Sequence, residues 1–224
     1  RLQVGNSDFR IDLLFYHRRM RCMVAIELKN GEFQPEYAGK LNFYLSALDE
    51  YVKTKKKTGI AAIALKDGDE LAAVSLVKDE PLILISEKGY GIHFDSLEVG
   101  ATSRTTSGVK GINLGDDDKV VAAIPIRNKT DKLAIFVQNG LAKKFDLSEL
   151  PIQKRGGKGL MCYKPTDSTG MVSAATMIED GDSVLILGDK SSICIDATEI
   201  PTLGRPSIGN QVIKNSKILS VSKV

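Results

Sequence analysis

Cysteine is scarce in this chain, and apolar runs of membrane length are absent. The 224 residues include three cysteines, Cys22, Cys162 and Cys194, which are far apart and odd in number. This count and spacing exclude a disulfide framework and a paired set of metal ligands, so we expect free buried thiols. Neither a signal peptide nor an apolar run long enough to span a membrane is found. We therefore expect a cytoplasmic protein with no membrane partner.

Charge of one sign is not in large excess either. Lys and Arg number 31 and Asp and Glu 28, which gives a formal net charge of +3. No overall field attracts an anionic partner, so a nucleic-acid site must come from local clustering of basic residues. With 42% hydrophobic and 26% charged residues, the composition is that of a globular protein with one large or two small domains.

An internal repeat organises most of the chain. Four segments place a glycine four positions after a basic residue, and we call them basic segments 1 to 4 (residues 55–65, 104–114, 151–164 and 205–214). The pairs are Lys55 and Gly59, Arg104 and Gly108, Arg155 and Gly159, and Arg205 and Gly209. The glycines are 49, 51 and 50 residues apart, and the aspartates at 95, 146 and 196 recur after 51 and 50 residues. Two markers with one period indicate a structural repeat.

Each repeat predicts four short strands. In the first unit they cover residues 60–65, 71–77, 82–86 and 91–94, separated by turn sequences such as KDGDE and EKGYG. Four strands in a unit of this length are typical of a propeller blade. We predict a mainly β protein with propeller- or pinwheel-like four-stranded blades, about three and a half of them. A β-sandwich with coincidental spacing is the alternative.

The basic segments predict a site for nucleic-acid backbones. Each basic residue precedes the first strand of its unit, so the four segments should lie at equivalent corners and form a curved row of positive charge. In segment 3, Lys154, Arg155 and Lys158 supply charge, Gln153 can bond phosphate or sugar, and the glycines allow close approach of backbone N–H groups to phosphate. This chemistry reads the backbone and not the bases. A solvated glycine-rich turn is the alternative for any one segment alone.

The repeats resemble a known family. QKRGGKG (residues 153–159) is similar to the "gyrase A box" found in the C-terminal domain of gyrase A and of its topoisomerase IV counterpart, in the type IIA topoisomerases. KTGIAAIALKDGDEL (57–71) and GNQVIKNSKILSVSKV (209–224) also resemble that domain. The resemblance implies a β-pinwheel that binds and bends duplex DNA around a basic rim, with no cofactor. It also implies association with other topoisomerase domains and subunits, where cleavage and ATP use occur, and a nucleoid location.

The resemblance assigns DNA contacts to the basic segments. The residues are Lys55, Lys56, Arg104, Gln153, Lys154, Arg155, Gly156, Gly157, Lys158, Gly159 and Arg205. The family has five or six blades with its box in the first, whereas this sequence has fewer repeats and its full box in segment 3. The gyrase and topoisomerase IV types therefore both stay open, as does a repeat scaffold that binds protein.

The first fifty residues do not carry the repeat. FRIDLLFYHRRMRCMVAIELKNGEF predicts a hairpin in which positions that sum to 39 face each other, so Leu13 faces Ile26 and Asp12 faces Glu27. Two carboxylates directly opposite repel each other, and a divalent metal between them would remove that cost and activate a water. Lys29 could then stabilise the developing charge. Exposed charges on an edge hairpin are the alternative, and residues 35–52 predict a helix.

This N-terminal segment resembles the YhcG-type members of the PD-(D/E)xK nuclease superfamily. The resemblance makes Asp12, Glu27 and Lys29 catalytic residues, and Asp12 and Glu27 ligands of Mg²⁺ or Mn²⁺, if the segment acts as a nuclease. The similarity ends near Tyr51, so we divide the chain into residues 1–53, a partial hairpin-and-helix nuclease-like segment, and 54–224, the pinwheel repeats. We expect no enzymatic activity from the chain alone. A natural fusion and other origins of the junction both stay open.

The incomplete set of blades predicts free strand edges. Three and a part units cannot close into a ring, so edge strands should remain exposed. We expect the terminal strand, residues 219–224, to pair with an early element, such as the hairpin of residues 10–28, or with another chain. Self-association through open blade edges is the corresponding partner prediction.

Overall fold

A computed structural model describes residues 70, 72–75, 77, 79–100, 108–128 and 130–224, together with the backbone of four short strands nearer the start. The chain divides into two compact units. The first consists of Arg1–Leu71 and Ala101–Gly108, and the second consists of Ala72–Gly100 and Val109–Val224. Among the described residues, no helix is both long and apolar enough to cross a membrane.

The first unit contains two antiparallel strand pairs. Strands β1 (Leu2–Val4) and β2 (Ser7–Phe9) form one pair, and β3 (Leu13–His17) and β4 (Cys22–Ile26) form the other. The β3–β4 register sets Leu13 opposite Ile26, so the predicted register is confirmed. Asp12, Glu27, Lys29 and the predicted helix at 35–52 lie outside the described residues.

The second unit is built from short antiparallel strands in three sheets, here called blades 1 to 3. Blade 1 has the order β10-β6-β5-β7, blade 2 β11-β8-β9-β14, and blade 3 β13-β12-β15. The strands are β5 (Leu82–Ser86), β6 (Tyr90–Phe94), β7 (Val120–Pro125), β8 (Lys132–Val137), β9 (Leu141–Asp146), β10 (Leu160–Met161), β11 (Val172–Ile178), β12 (Ser183–Gly188), β13 (Ser192–Asp196), β14 (Asn210–Gln211) and β15 (Ile218–Lys223).

Each blade is organised around one hairpin that ends in a 3-10 helix. The hairpins β5–β6, β8–β9 and β12–β13 lead into η1 (Ser96–Glu98), η2 (Leu147–Glu149) and η3 (Ala197–Glu199). The repeated aspartate stands at the N-cap of each helix, where Asp95 Oδ1 accepts from Leu97 N–H at 2.9 Å. Asp196 Oδ1 likewise accepts from Thr198 N–H at 2.8 Å, whereas Asp146 makes no side-chain cap hydrogen bond. A short side chain that accepts from the first turn stabilises a helix start, which accounts for the aspartates at 95 and 196.

The repeat that begins at segment 3 contains four consecutive strands, β10 to β13, as predicted. The strands of one blade, however, come from different repeats, so the prediction that one repeat forms one blade is wrong. β7 follows segment 2 and pairs with β5, while β10 lies inside segment 3, after the hairpin of blade 2, and pairs with β6 of blade 1. In the same way β14, inside segment 4, completes blade 2. Residues 72–75 and 77 carry no strand, which corrects the strand predicted at 71–77, while those at 82–86 and 91–94 are confirmed.

The terminal strand also differs from its prediction. β15 pairs with β12 inside blade 3, with Ile186 opposite Val221, and not with the N-terminal hairpin. The outer edge of β13 pairs with no strand of the described residues. β15 occupies the same position beside β12 that β11 occupies beside β8, so its partner is the one that the repeat provides.

Blade 2 is buried on both faces, which is the packing that a stack of blades requires. Along β8, Leu133 and Ile135 join the cluster shared with blade 1, whereas Ala134 and Phe136 join the cluster shared with blade 3. Side chains of a strand alternate between the faces of its sheet, so one strand serves two interfaces. The mainly β, propeller-like fold predicted from the sequence is confirmed.

The free cysteines differ in exposure. Cys162 is buried in the cluster between blades 1 and 2, as expected, and Cys194 is exposed on β13, which corrects the prediction for that residue. Only the backbone of Cys22 is described.

Candidate nucleic-acid interface

Basic segments 3 and 4 each cross from one blade to the outer edge of the preceding blade. Segment 3 follows η2 of blade 2 and pairs through Leu160 with Gly91 of blade 1; segment 4 follows η3 of blade 3 and pairs through Asn210 with Ala142 of blade 2. The two segments therefore occupy equivalent corners of successive blades. Segment 1, with Lys55 and Lys56, and Arg104 of segment 2 lie outside the described residues.

Backbone hydrogen bonds fix segment 3 against segment 2. Gly156 N–H donates to Gly111 O at 2.7 Å, and Asn113 N–H donates to Gly157 O at 2.9 Å. The N–H of Gly156 is thus bonded within the protein, whereas the sequence predicted that it would bind a phosphate. The backbone N–H groups of Gly157, Lys158 and Gly159 find no acceptor among the described residues.

Gly159 is required by the close approach of two backbones. Its φ is +75°, and a Cβ at this position would lie 2.4 Å from Gly91 O on β6. An L side chain disfavours this φ and has no room there. The glycine therefore lets segment 3 turn into β10 against β6.

The lysines of this region lie at the surface. Lys154 and Lys158 are exposed, and Lys158 Nζ is 5.1 Å from the centroid of the Tyr90 ring. In segment 2, Lys110 is exposed and its Nζ donates to Asn113 Oδ1 at 3.2 Å. An ammonium on a flexible stem can reach a phosphate without any change of fold. Lys110 was not predicted from the sequence, because it lies two positions after Gly108 and so outside the pattern of a basic residue four positions before a glycine.

The two described arginines of the basic segments are less exposed than the lysines. Arg155 and Arg205 are half-buried, and each donates Nη1–H to a backbone carbonyl, Lys110 O for Arg155 and Met161 O for Arg205. Their backbone N–H groups donate to carboxylates, Arg155 to Glu98 Oε2 at 3.0 Å and Arg205 to Glu149 Oε2 at 2.7 Å.

Glu98 and Glu149 were missed in the sequence, although a signal was present. Both stand three residues after the repeated aspartate and are 51 residues apart. That spacing equals the distance between the aspartates at 95 and 146, so the repeat alone could have identified them as structural acceptors.

Lys143 lies buried beneath segment 4. Its side chain is 1% exposed, and Nζ donates to Gly204 O at 3.3 Å and to Arg205 O, 5.4 Å from the centroid of the Phe145 ring. Burial, with a smaller contribution from the nearby Arg205 guanidinium, lowers the pKa of Lys143 to about 8. A lysine at this position supports the backbone of segment 4 and does not offer charge to a ligand.

Lys143 should make stability depend on pH. Between pH 8 and 10.5 the unfolded state binds more protons at this residue than the folded state, so the free energy of unfolding should rise with pH. Over this window we expect a relative gain of about 3 kcal/mol for the parent chain over Lys143→Met. Urea unfolding of both chains at pH 7 to 10.5 measures it.

The comparison with Lys143→Met is needed because Cys162 acts in the opposite direction. Burial raises the pKa of its thiol to about 12, so the folded state keeps this proton above pH 9 while the unfolded state loses it. Both chains keep the buried thiol, so the effect of its burial cancels in their difference, and only the part that comes from the Lys143 charge remains. A difference that stays constant with pH would contradict the assignment for Lys143.

The described residues include no group of three His, Cys, Asp or Glu side chains that could hold a metal ion. Asp12 and Glu27, the metal ligands of the nuclease alternative, are not among those residues. The described residues therefore test the predicted DNA-binding segments and not the predicted metal ligands.

Two family models match the chain. Residues 1–92 match the YhcG PDDEXK nuclease domain, and residues 80–127 and 131–185 match the DNA gyrase C-terminal domain, beta-propeller. The first match extends beyond the N-terminal segment defined from the sequence and overlaps the second at residues 80–92.

Curated relatives are similar over most of this chain. The DNA gyrase A protein of Lawsonia intracellularis is 32% identical over 168 residues, which cover 73% of this chain and 20% of the relative. The DNA gyrase A protein of Clostridium acetobutylicum is 35% identical over 177 residues, which cover 77% of this chain and 21% of the relative. The chain thus spans about a fifth of the length of these relatives.

Solved structures share the fold. A structure of the DNA gyrase A C-terminal domain matches with a TM-score of 0.68 at 30% identity, covering 74% of this chain and 58% of that one. The C-terminal domain of DNA topoisomerase IV matches with a TM-score of 0.70 at 27% identity, covering 80% and 57%. The resemblance of the repeats to the gyrase and topoisomerase IV C-terminal domains, predicted from the sequence, is confirmed.

Proposed function

We propose that the repeats, residues 54–224, bind duplex DNA without sequence preference and bend it, as the DNA-binding module of a gyrase A-type chain in a type IIA topoisomerase. One observation carries the proposal: Lys154 and Lys158 are exposed close to the backbone N–H groups of Gly157, Lys158 and Gly159, which have no acceptor among the described residues. Similarity to the gyrase A C-terminal domain supports it.

The arrangement suits phosphate and not bases. Ammonium groups and free N–H groups bind phosphate oxygens of any sequence. The proposed DNA surface keeps the residues predicted from the sequence, which contact DNA or position the contacts, and adds Lys110. The residues predicted from the sequence are Lys55, Lys56, Arg104, Gln153, Lys154, Arg155, Gly156, Gly157, Lys158, Gly159 and Arg205.

Bending follows from the repetition of these segments on successive blades. Segments 3 and 4 stand at equivalent corners, so a duplex that contacts both would follow the blades. Binding of this kind needs no cofactor and would support topology changes catalysed by other topoisomerase domains. We place the protein in the cytoplasm, associated with the nucleoid. Copies of the chain could also associate through the outer edge of β13.

A metal-dependent nuclease is the second candidate. The match of residues 1–92 to the YhcG nuclease domain favours it. In that case Asp12 and Glu27 would bind Mg²⁺ or Mn²⁺ and Lys29 would stabilise charge. The division into residues 1–53 and 54–224 remains part of this proposal.

The salt dependence of binding tests the proposed function. We expect log K for two unrelated duplexes to fall with log salt at a slope near −0.9 per phosphate neutralised, in EDTA. Changing Lys154, Arg155 and Lys158 together to Ala should weaken binding to both duplexes about equally and reduce the slope. Fluorescence anisotropy over a series of KCl concentrations measures both quantities.

A matched variant separates the site from net charge. Lys119, Lys190 and Lys217 are exposed outside the basic segments, so their joint change to Ala removes the same charge and should alter binding less. Salt-insensitive binding, or equal effects of the two triple variants, would contradict the proposal. DNA cutting that requires Mg²⁺ or Mn²⁺ and is lost in Asp12→Ala would favour the nuclease.

A further inference from the structure

The two described box arginines make the same contacts one repeat apart. Arg155 and Arg205 each donate a backbone N–H to a glutamate and an Nη1–H to a carbonyl. The glutamates, Glu98 and Glu149, are 51 residues apart, and so are the carbonyls of Lys110 and Met161. A contact set that recurs with the period of the fold is part of the fold.

Each arginine joins its own segment to the preceding one. Arg155 of segment 3 bonds the carbonyl of Lys110 in segment 2, and Arg205 of segment 4 bonds the carbonyl of Met161 in segment 3. Segments 3 and 4 lie on successive blades. These bonds therefore set how far one segment stands from the next.

The guanidinium groups are largely committed to these contacts. Both side chains are half-buried, and the Nε atom of each is buried without a hydrogen-bond partner. Lys154 and Lys158, in contrast, are exposed. A planar guanidinium can direct several N–H groups at fixed angles, whereas an ammonium is a point charge on a flexible stem.

We propose that Arg155 and Arg205 are positioning residues, which fix the spacing of successive basic segments, while Lys154, Lys158 and the free backbone N–H groups bind phosphate. This inference rests on the proposed DNA-binding function. It assigns different roles to neighbouring cations: loss of an arginine disturbs the geometry of the DNA surface, and loss of a lysine removes a phosphate contact.

The charge-preserving change Arg155→Lys tests this assignment. We expect its Tm to fall by about 3–6 °C, because a carbonyl loses its donor in the protein. The amides of Gly156 and Asn113, which bond across segments 2 and 3, should exchange hydrogen faster. The salt slope on a short duplex should be unchanged, while bending of a longer duplex, read by energy transfer between its ends, should decrease. Arg205→Lys should lower Tm in the same way.

Lys154→Ala is the matched control in the same segment. We expect an unchanged Tm and unchanged amide exchange, with a salt slope reduced by about 0.9. If Arg155→Lys instead leaves Tm and exchange unchanged, the positioning role is wrong. If Arg155→Lys does not fold, Glu98→Ala replaces it, and an unchanged Tm there would also overturn the role. Absence of DNA binding by the parent would refute the proposed function, while Tm and exchange still decide the role of the arginines.

Discussion

Replacing Gly89 with alanine should reduce the free energy of unfolding by about 4 kcal/mol. Gly89 lies in the β5–β6 turn with a φ of +85°, and a Cβ there would lie 2.1 Å from Tyr163 O. Its own carbonyl accepts from the N–H groups of Cys162 at 2.7 Å and Tyr163 at 3.1 Å. The methyl group would both strain the turn and push away the chain segment that completes blade 1.

Two other glycines separate strain from collision. Gly181 has a φ of +99° but open space around it, so Gly181→Ala should cost only the left-handed conformation, about 1–2 kcal/mol. Gly115 has open space and no positive φ, so Gly115→Ala should change little. Denaturant unfolding of the three variants gives the order. A loss in Gly89→Ala no larger than in Gly181→Ala would show that β10 does not pack as described.

Phe136→Ala should have a similar effect, about 4 kcal/mol, for a different reason. Phe136 is 0% exposed and points from β8 into the cluster shared by blades 2 and 3, with Val184, Ile186 and Ile213. Removing the ring loses its burial and leaves a cavity that the surrounding sheets can close only in part. Because the loss falls on the interface, blade 3 should lose hydrogen-exchange protection before blade 1 does.

Two controls accompany this variant. Phe136→Leu keeps most of the volume and should cost under about 1.5 kcal/mol. Leu97→Ala removes a side chain that is 71% exposed and should be nearly neutral. Chemical unfolding followed by fluorescence and by hydrogen exchange measures all three. A Phe136→Ala chain as stable as Phe136→Leu would contradict the stacking of blades 2 and 3 through this residue.

The repeat made the hairpins predictable but not the composition of the blades. Hairpins such as β5–β6 and β8–β9 rely on nearby residues, with alternating side chains and a turn glycine, so a fixed period reveals them. The edge strands β10 and β14 are two residues long and join sheets built much earlier in the chain. No local pattern encodes such a partner, since it depends on packing between blades.

The site could be predicted in part, for a related reason. Sequence identifies basic residues and flexible glycines in segment 3, and the structure places Lys154 and Lys158 at the surface. The sequence does not give the direction of a side chain, so the half-buried Arg155 could not be distinguished from the exposed Lys154. The partners of Arg155 lie far back in the chain, Lys110 O in segment 2 and Glu98 in η1. Every residue has a backbone carbonyl, so the residue type does not reveal such a partner.

The late arrival of β10 has a consequence for the newborn chain on the ribosome. Leu160 follows Phe94, the last residue of β6, by 66 positions. At about 5–20 residues per second, translation leaves the outer edge of β6 without its partner for about 3–13 seconds. An unpaired edge is a template for wrong pairing, and the next hairpin, β8–β9, emerges during this interval. Correct formation of blade 1 therefore requires that the open edge of β6 is protected from wrong pairing until segment 3 has been synthesised. The folding order of the chain or a chaperone would provide this protection.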